Sequence, residues 1–376
     1  MLKKYRVRDY DFKLVMMLIA ISVIGIMAIG SAQESVQDKQ VMGLIMGVFL
    51  MIIISLFDYT ALLNLYWIFY IGNVILLVLV EFLGSKAGGA QRWFSILGIR
   101  FQPSELAKIL LILFYAQFIM KQREKLNTFR TLTKMVVLFL PPLGLIYNQP
   151  DLSTSIMLII IFCIMIFIGG LDYRIIAGVL AVVIPCIVIF LMIVLQPDQQ
   201  LIKEYQQTRI LAWLHPSEYV NTEGYQQANS ITAIGSGQLW GKGLNNNIIG
   251  SVKNGNFISE PQTDFIFAII GEELGFVGSC AVILLLFLIA LECVMIARKA
   301  KDTAGMIICS GMAGLVGFQS YMNIAVATGL MPNTGIPLPF VSAGLTSLVS
   351  LFIGMGFVLN VRLQGKNNTS KVRDLQ

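Results

Sequence analysis

Ten long apolar runs constrain this chain more than any other feature of its sequence. Most of them have the roughly 17–25 residues that an α-helix needs to cross the hydrocarbon core of a bilayer. The runs lie at about 13–31, 40–57, 61–83, 104–120, 133–147, 152–169, 174–196, 264–297, 304–330 and 340–361. Of the 376 residues, 56% are hydrophobic and only 13% are charged. The sequence therefore predicts one all-α polytopic membrane domain over 1–376, with about ten transmembrane helices.

The distribution of Lys and Arg predicts how the chain is oriented. Of the 27 such residues, 18 fall on the side that holds both termini and eight fall on the other side. The positive-inside rule places the termini in the cytoplasm. The segment 197–263 is then a large extracellular loop, and 366–376 is predicted to be a disordered cytoplasmic tail. Within the loop, the spacing of apolar residues over 201–214 predicts a short surface helix, and the Gly-rich segment 231–243 is able to dip back toward the bilayer.

Asp264 is the most prominent ionisable residue, because it opens the eighth apolar run. Thr263 beside it is a candidate N-cap. One interpretation is ordinary helix-start chemistry, since a carboxylate in a first turn complements the helix dipole. The other is a functional carboxylate, because apolar residues follow it and a loop rich in glycine and amides precedes it. Burial would raise its pKa and the helix terminus would lower it, and the sequence does not decide between them.

Glu105 and Lys108 form a second polar feature at the start of the fourth run. They are three residues apart and share one helix face, just after Pro103, which is favourable at a helix start. They are either a self-satisfied intramembrane ion pair or the lining of a polar cavity in which Lys108 faces an anionic group. Arg92, next to Trp93, is either a headgroup anchor or a further cation for such a group.

Other polar residues limit the possible chemistry. The chain has one histidine, His215, which argues against a His-based catalytic triad and a zinc site. Asp151 is as consistent with a capping role as with a functional one. Cations cluster at the ends of the apolar runs, so the net charge of +6 does not indicate a nucleic-acid partner. From these residues alone, proton abstraction beside a bound anion and transport of ions or lipids both stay open.

Short motifs in order along the whole chain resemble the SEDS family of bacterial membrane proteins, which includes RodA, FtsW and SpoVE. The motifs are Gly89-Ala90-Gln91-Arg92-Trp93, Phe101-Gln102-Pro103-Ser104-Glu105-Leu106-Ala107-Lys108, Gln149-Pro150-Asp151-Leu152, Arg209-Ile210, Ala233-Ile234-Gly235-Ser236-Gly237, Gly241-Lys242-Gly243, Thr263-Asp264-Phe265-Ile266-Phe267-Ala268, Gly271-Glu272-Glu273-Leu274-Gly275 and Gly335-Ile336-Pro337-Leu338-Pro339-Phe340-Val341-Ser342. Two departures, at Ser153 and at Ala343-Gly344-Leu345, leave the candidate site residues unchanged. Gly241-Lys242-Gly243 and the short tails favour a RodA-like member, whereas Glu260-Pro261-Gln262 is nearer to FtsW and SpoVE.

The resemblance implies a peptidoglycan glycosyltransferase that polymerises lipid II outside the cytoplasmic membrane and releases undecaprenyl diphosphate. Asp264 matches the family's essential aspartate, and Glu105 with Lys108 matches its functionally important pair. We expect Asp264 to act as the general base in an inverting displacement. The candidate cations for the leaving diphosphate are Arg92, Lys108, Arg209 and Lys242. No cofactor is certain, although Mg²⁺ or Mn²⁺ could assist; the rival functions are a lipid II flippase and a passive scaffold.

The resemblance also implies a partner, a class B penicillin-binding protein that supplies the transpeptidase. Its membrane helix needs a lipid-facing groove of small residues. We expect it to dock on the eighth and ninth spans, where small residues recur. These residues are Gly271, Gly275, Gly278, Gly305, Ser310, Gly311, Ala313, Gly314 and Gly317.

Overall fold

The computed structural model describes residues 9–87, 90–96, 99–196, 199, 202, 204–245, 251, 255 and 257–365, and it is a helical bundle. The predicted tail at 366–376 lies outside these residues. The helices and strands, in chain order, are α1 (Phe12–Ala32), α2 (Glu34–Leu56), α3 (Tyr59–Leu63), α4 (Tyr66–Leu83), β1 (Ser85–Ala87), β2 (Ala90–Ile96), β3 (Ile99–Phe101), α5 (Pro103–Lys121), α6 (Phe129–Asn148), α7 (Leu152–Gly169), α8 (Tyr173–Val194), α9 (Glu204–Leu214), α10 (Tyr225–Ser236), α11 (Ile266–Arg298), α12 (Thr303–Ala327) and α13 (Leu345–Leu363).

Ten of the described helices are long and apolar enough to cross a membrane, so the predicted fold class is confirmed and the chain is a multi-pass membrane protein. These helices are α1, α2, α4, α5, α6, α7, α8, α11, α12 and α13. The third predicted run, 61–83, is divided in the structure between α3 and α4. The break lies at Asn64 and Leu65, and the carboxylate of Asp58 accepts from the amide of Thr60 and caps the start of the short α3.

The helices differ sharply in how much protein surrounds them. α5, α12 and α13 are the most enclosed, whereas α8 has Val194 as its one buried residue. α12 packs against α11, α7 and α5, and α13 packs mainly against α2. An enclosed helix presents little surface to lipid, so its buried polar side chains must find partners inside the protein. Such side chains are numerous in α5 and α12, and three of them line the cavity described below: Glu105, Lys108 and Gln319.

A small antiparallel sheet, with order β1-β2-β3, connects α4 to α5. Phe94 pairs with Phe101 and Ser95 with Arg100 in the second ladder. These strands were not predicted, because they lie in a short segment between two apolar runs. The sheet carries Arg92 to the same end of the bundle as the start of α5.

The segment after α10 packs against a break in α11. Gly275 interrupts α11 with φ 67° and ψ −163°, a conformation that favours glycine. The break removes helical hydrogen-bond partners, and the segment supplies them: the amides of Lys242 and Gly243 donate to the carbonyls of Glu272 and Glu273 at 2.9 and 3.0 Å. The amide of Phe276 donates back to the Gln238 carbonyl at 2.8 Å. These hydrogen bonds fix this part of the long loop to the transmembrane bundle.

We predict that Gly275→Ala destabilises the protein, because a Cβ at this position would lie 2.3 Å from the Gly241 nitrogen at a positive φ. Residues forced into such a conformation cost about 1–3 kcal/mol, and the backbone clash adds to this. Thermal unfolding in detergent should show a clearly lower Tm. Gly317→Ala is the matched control, since its nearest neighbour, Ala290 Cβ, is 3.9 Å away. Equal Tm values for the two variants would contradict this account of the break.

Candidate functional site

A cavity of about 920 Å³ opens at the end of the bundle that carries the sheet. Its walls come from α2, β2, β3, α5, α7, α12 and α13, together with the loops around residues 260–264 and 335–344. Four of the six predicted site residues line it. These are Arg92, Glu105, Lys108 and Asp264.

Glu105 and Lys108 form a buried ion pair at the base of this cavity. Lys108 Nζ lies 2.9 Å from Glu105 Oε1, and both side chains are almost fully buried. Each has one further partner: Lys108 donates to Gln319 Oε1 at 3.1 Å, and Ser347 donates to Glu105 Oε2 at 2.7 Å. The pair therefore joins α5 to α12 and α13 and also faces the cavity. The two interpretations of the pair from sequence, structural and functional, are compatible here.

Asp264 lies on a turn just before α11, and the backbone of this turn is held by α12 and by the loop that follows it. The Asn323 side-chain amide donates to the Asp264 carbonyl at 2.8 Å, and the Ser342 hydroxyl donates to the Thr263 carbonyl at 2.6 Å. The expectation that Thr263 caps the helix is wrong. α11 begins at Ile266 with Phe265 as its N-cap, because the hydrogen bonds from Asn323 and Ser342 hold the preceding residues in a turn.

The environment of Asp264 raises its pKa to about 6, chiefly because burial disfavours the charged carboxylate. The negative charges of Glu260 and Asp151 raise it further, and the positive charges of Arg209 and Arg92 oppose the rise. The sequence left open whether burial or the helix terminus would dominate. Burial is the largest of the influences on this carboxyl, so its pKa rises. A carboxylate with a pKa near 6 is mostly ionised at neutral pH and is well matched to accept a proton.

Gly335 lets the backbone approach the Asp264 carboxylate closely. It has φ 70°, and a Cβ there would lie 3.3 Å from Asp264 Oδ2. The motif that contains Gly335 is thus part of the wall beside the carboxylate. Its neighbours Ile336 and Pro337 also line the cavity.

Arg92 is held at the rim by carbonyl groups and a carboxylate. Its Nε donates to the Gln149 carbonyl at 2.7 Å, it also donates to the Pro150 carbonyl, and Nη1 lies 3.8 Å from Asp151 Oδ2. Asp151 is buried and accepts from the Thr154 amide at 3.1 Å, so it caps α7 and also orients Arg92. The capping role of Asp151 is therefore confirmed, and a functional role for it stays a prediction.

Arg209 and Lys242 do not line the cavity. Arg209 lies in α9 with Nη1 3.5 Å from the Asn333 carbonyl, near enough for its charge to lower the pKa of Asp264. Lys242 lies at the break in α11, where its Nζ is 2.7 Å from Glu272 Oε1. A substrate-binding role for either residue stays a prediction.

Sequence reasoning missed several residues that line the cavity. Three of these are Lys39, Arg100 and Gln319. In the sequence, Lys39 and Arg100 are two of the eight cations on the outer side, and Gln319 lies inside an apolar run. The signal for Gln319 was an amide within a transmembrane helix, which is costly unless it has a partner. Across the described ranges, no group of three or more His, Cys, Asp and Glu side chains is arranged to hold a metal ion. A divalent cation at the cavity stays a prediction.

The chain is similar to known proteins in sequence and in structure. The sequence profile of a family described as cell cycle protein, with FtsW, RodA and SpoVE in its name, matches residues 9–367. The chain is 36% identical over 297 residues to the peptidoglycan glycosyltransferase MrdB of Escherichia coli K12, covering 79% of this chain and 77% of the relative. It is 31% identical over 388 residues to the probable peptidoglycan glycosyltransferase FtsW of Bacillus subtilis, covering 99% and 94%.

Solved structures give the same result. The rod shape determining protein RodA of Thermus thermophilus superposes with a TM-score of 0.68 at 27% identity, over 94% of this chain and 96% of that one. A chain from a peptidoglycan synthase complex, described as coordinating polymerization and crosslinking, superposes with a TM-score of 0.77 at 28% identity, over 94% and 97%.

The buried pair leads to a stability prediction. Lys108→Met removes the only cation that pairs with Glu105 in the described part of the chain. The carboxylate is then buried without a countercharge, which should destabilise the protein by about 3–5 kcal/mol. Exchanging the two residues, as Glu105→Lys with Lys108→Glu, should recover only part of the lost stability. A carboxylate at position 108 would face Gln319 Oε1, which accepts a hydrogen bond from Lys108 in the native protein.

Thermal unfolding in detergent measures both effects. The control is Glu105→Gln combined with Lys108→Met, which leaves no unpaired charge and should be more stable than Lys108→Met alone. If Lys108→Met unfolds at the wild-type temperature, the pair contributes nothing to the stability of the bundle. A separate activity assay tests function: if the exchanged variant is as active as the wild type, the pair has only a structural role.

Proposed function

This chain belongs to the family of cell cycle proteins that includes FtsW, RodA and SpoVE, and on that premise we propose that it is a peptidoglycan glycosyltransferase. It polymerises lipid II into glycan strands at the outer face of the cytoplasmic membrane. The observation that carries this proposal is Asp264, a carboxylate with a raised pKa in the same cavity as the Glu105–Lys108 pair. Its relatives include both MrdB and FtsW, so a role in elongation, rather than in division or sporulation, remains a prediction.

The reaction joins a sugar 4-hydroxyl of lipid II to the anomeric carbon of a glycan on undecaprenyl diphosphate. Asp264 takes the hydroxyl proton while the new carbon–oxygen bond forms. The bond to the diphosphate breaks, and its electron pair leaves with the diphosphate oxygen. Cations that face the cavity stabilise this developing charge, and the presence of Lys108 and Arg92 in the cavity wall supports assigning this role to them. The protonated Asp264 then returns its proton to solvent.

The carboxylates of the cavity favour a single displacement with inversion at the anomeric carbon. A retaining mechanism needs a second carboxylate that is available as a nucleophile. Glu105 is paired with Lys108, and Asp151 caps α7 beside Arg92. Glu260 is the other carboxylate that lines the cavity, and its charge raises the pKa of Asp264. Glu260→Gln therefore tests whether a second carboxylate takes part.

A class B penicillin-binding protein is the proposed partner, which supplies the crosslinking activity. The similarity to a chain of a peptidoglycan synthase complex supports this. The partner's membrane helix docks on α11 and α12, the eighth and ninth spans. The expectation that Gly311 and Gly314 face lipid there is wrong. A Cβ on Gly311 would meet Ile112 at 3.1 Å, and one on Gly314 would meet Ile164 at 2.4 Å. They face α5 and α7, because α12 is enclosed by other helices.

The available docking surface is consequently larger on α11 than on α12. Large apolar side chains of α11 are exposed, and α12 adds two near its end. The exposed residues are Phe276, Val277, Ile283, Leu284, Phe287, Leu291, Val294, Phe318 and Tyr321. This surface replaces the groove of glycines as the place where the partner helix packs. A larger side chain at Gly314 would meet Ile164 Cδ1 of α7, so Gly314→Leu does not test a lipid-facing groove.

For the catalytic proposal, we predict that Asp264→Asn lowers polymerisation of lipid II by about 100- to 10,000-fold, because the amide cannot accept the proton. The assay uses purified protein in detergent, where polymer formation needs no second compartment and a flippase gives no product. Glu260→Gln, in the same cavity, should stay within a few-fold of wild type. Substantial polymer from well-folded Asp264→Asn would refute the role of Asp264, and a wild-type protein without polymerase activity would favour the flippase.

For the docking proposal, we predict that Leu284→Ala with Phe287→Ala weakens co-purification with the class B penicillin-binding protein several-fold. Both side chains are more than half exposed, so the variant should fold normally. Ile45→Ala with Phe49→Ala in α2 is the matched control, since those side chains are equally exposed on another face. Loss of co-purification in the α2 variant alone would move the docking site to the first spans.

A further inference from the structure

A second cavity, of about 640 Å³, lies at the opposite end of the bundle from Asp264. It is formed where α5 ends, by the single 3₁₀ turn Arg123–Lys125 and by the start of α12. The cations Lys121, Arg123 and Lys125 line it, together with the carboxylates of Glu124 and Asp302. No step of the proposed glycosyl transfer uses this cavity.

The cations of this cavity are available to an anion. In the described ranges, neither Lys121, Arg123 nor Lys125 takes part in an ion pair; Arg123 Nη1 donates to Thr303 Oγ1 at 3.1 Å. Both carboxylate oxygens of Asp302 already accept hydrogen bonds. One accepts from the Gly305 amide at 2.7 Å and the other from the Tyr59 hydroxyl at 2.9 Å. Three cations against two carboxylates leave one net positive charge, which matches a single phosphodiester.

Aromatic residues place this cavity at the level of the lipid headgroups. Tyr66 and Trp67 begin α4 beside it, and Lys121 Nζ lies 4.5 Å from the centre of the Tyr66 ring. Trp67 and Tyr173, at the starts of α4 and α8, are both exposed. Tyrosine and tryptophan are enriched at membrane–water interfaces. The Lys and Arg distribution assigns this end of the bundle to the cytoplasmic side.

We propose that this cavity binds the headgroup of an anionic glycerophospholipid from the cytoplasmic leaflet. Arg123 and Lys125 contact the phosphate, while Lys121 remains over Tyr66 and adds to the positive potential. The acyl chains lie along the exposed apolar surface beside Trp67. Basic pockets between membrane helices on the cytoplasmic side are suited to anionic headgroups. The proposal does not depend on the catalytic proposal, because the two sites lie at opposite membrane faces.

Native mass spectrometry of the full chain in detergent tests this proposal, with dioleoylphosphatidylglycerol as the probe and dioleoylphosphatidylcholine as the zwitterionic comparison. The wild-type protein should retain the anionic lipid preferentially. Arg123→Gln with Lys125→Gln should lower its apparent affinity about 30-fold, since each cation near the surface contributes about 1 kcal/mol. Arg123→Lys with Lys125→Arg keeps both charges and should bind within a few-fold of wild type.

Arg130→Gln with Lys134→Gln is the matched control, because it removes two exposed cations of α6 that do not line the cavity. An equal loss of affinity in this control would overturn the site, and so would equal retention of phosphatidylcholine. Displacement of the lipid by millimolar inorganic phosphate, or by an acidic peptide, would show that the cavity serves a different anion. If the double variant does not fold, Lys125→Gln alone should lower the affinity about five-fold.

Discussion

The ion pair between Lys108 and Glu105 is the interaction on which the rest of the structure most depends. Taking two charges out of water costs several kcal/mol each, and their attraction offsets this only with good geometry and further hydrogen bonds. Gln319 of α12 and Ser347 of α13 supply those hydrogen bonds. The pair thus fixes three enclosed helices relative to one another. It also leaves a cation beside the cavity, so the same side chains connect stability with substrate binding.

The second constraint is the way in which the Asp264 turn is held. Asn323 and Ser342 bind the carbonyls of residues 264 and 263, which fixes the backbone and leaves the carboxylate at the cavity wall. α12 therefore supports both halves of the site: Gln319 holds Lys108, and Asn323, one helical turn further on, holds Asp264. The spacing of four residues puts both amides on one face of the helix. A carboxylate held in this way needs little reorganisation to accept a proton.

Much of the fold was predictable because a bilayer dictates the length and the apolar character of each spanning helix. The same logic identified Asp264, Glu105 and Lys108, since charges in apolar runs are costly. What the sequence could not give was the tertiary partner of each group. Lys242 binds Glu272 at the break in α11, a partner that the sequence does not reveal. Gly311 and Gly314 face other helices instead of lipid, and this error arises because the periodicity of one helix does not reveal which of its faces is enclosed.

The dependence of polymerisation rate on pH tests the central claim most directly, because only the ionised Asp264 can act as a base. With its pKa raised to about 6, the rate should fall as pH decreases through about 6. Since the charge of Glu260 contributes to this rise, the Glu260→Gln variant should lose activity at a lower pH than the wild-type enzyme. The account predicts this shift with little change in the rate at neutral pH. The account would be contradicted if the rate fell at the same acidic pH in both proteins, or if it fell only near pH 4 in the wild type.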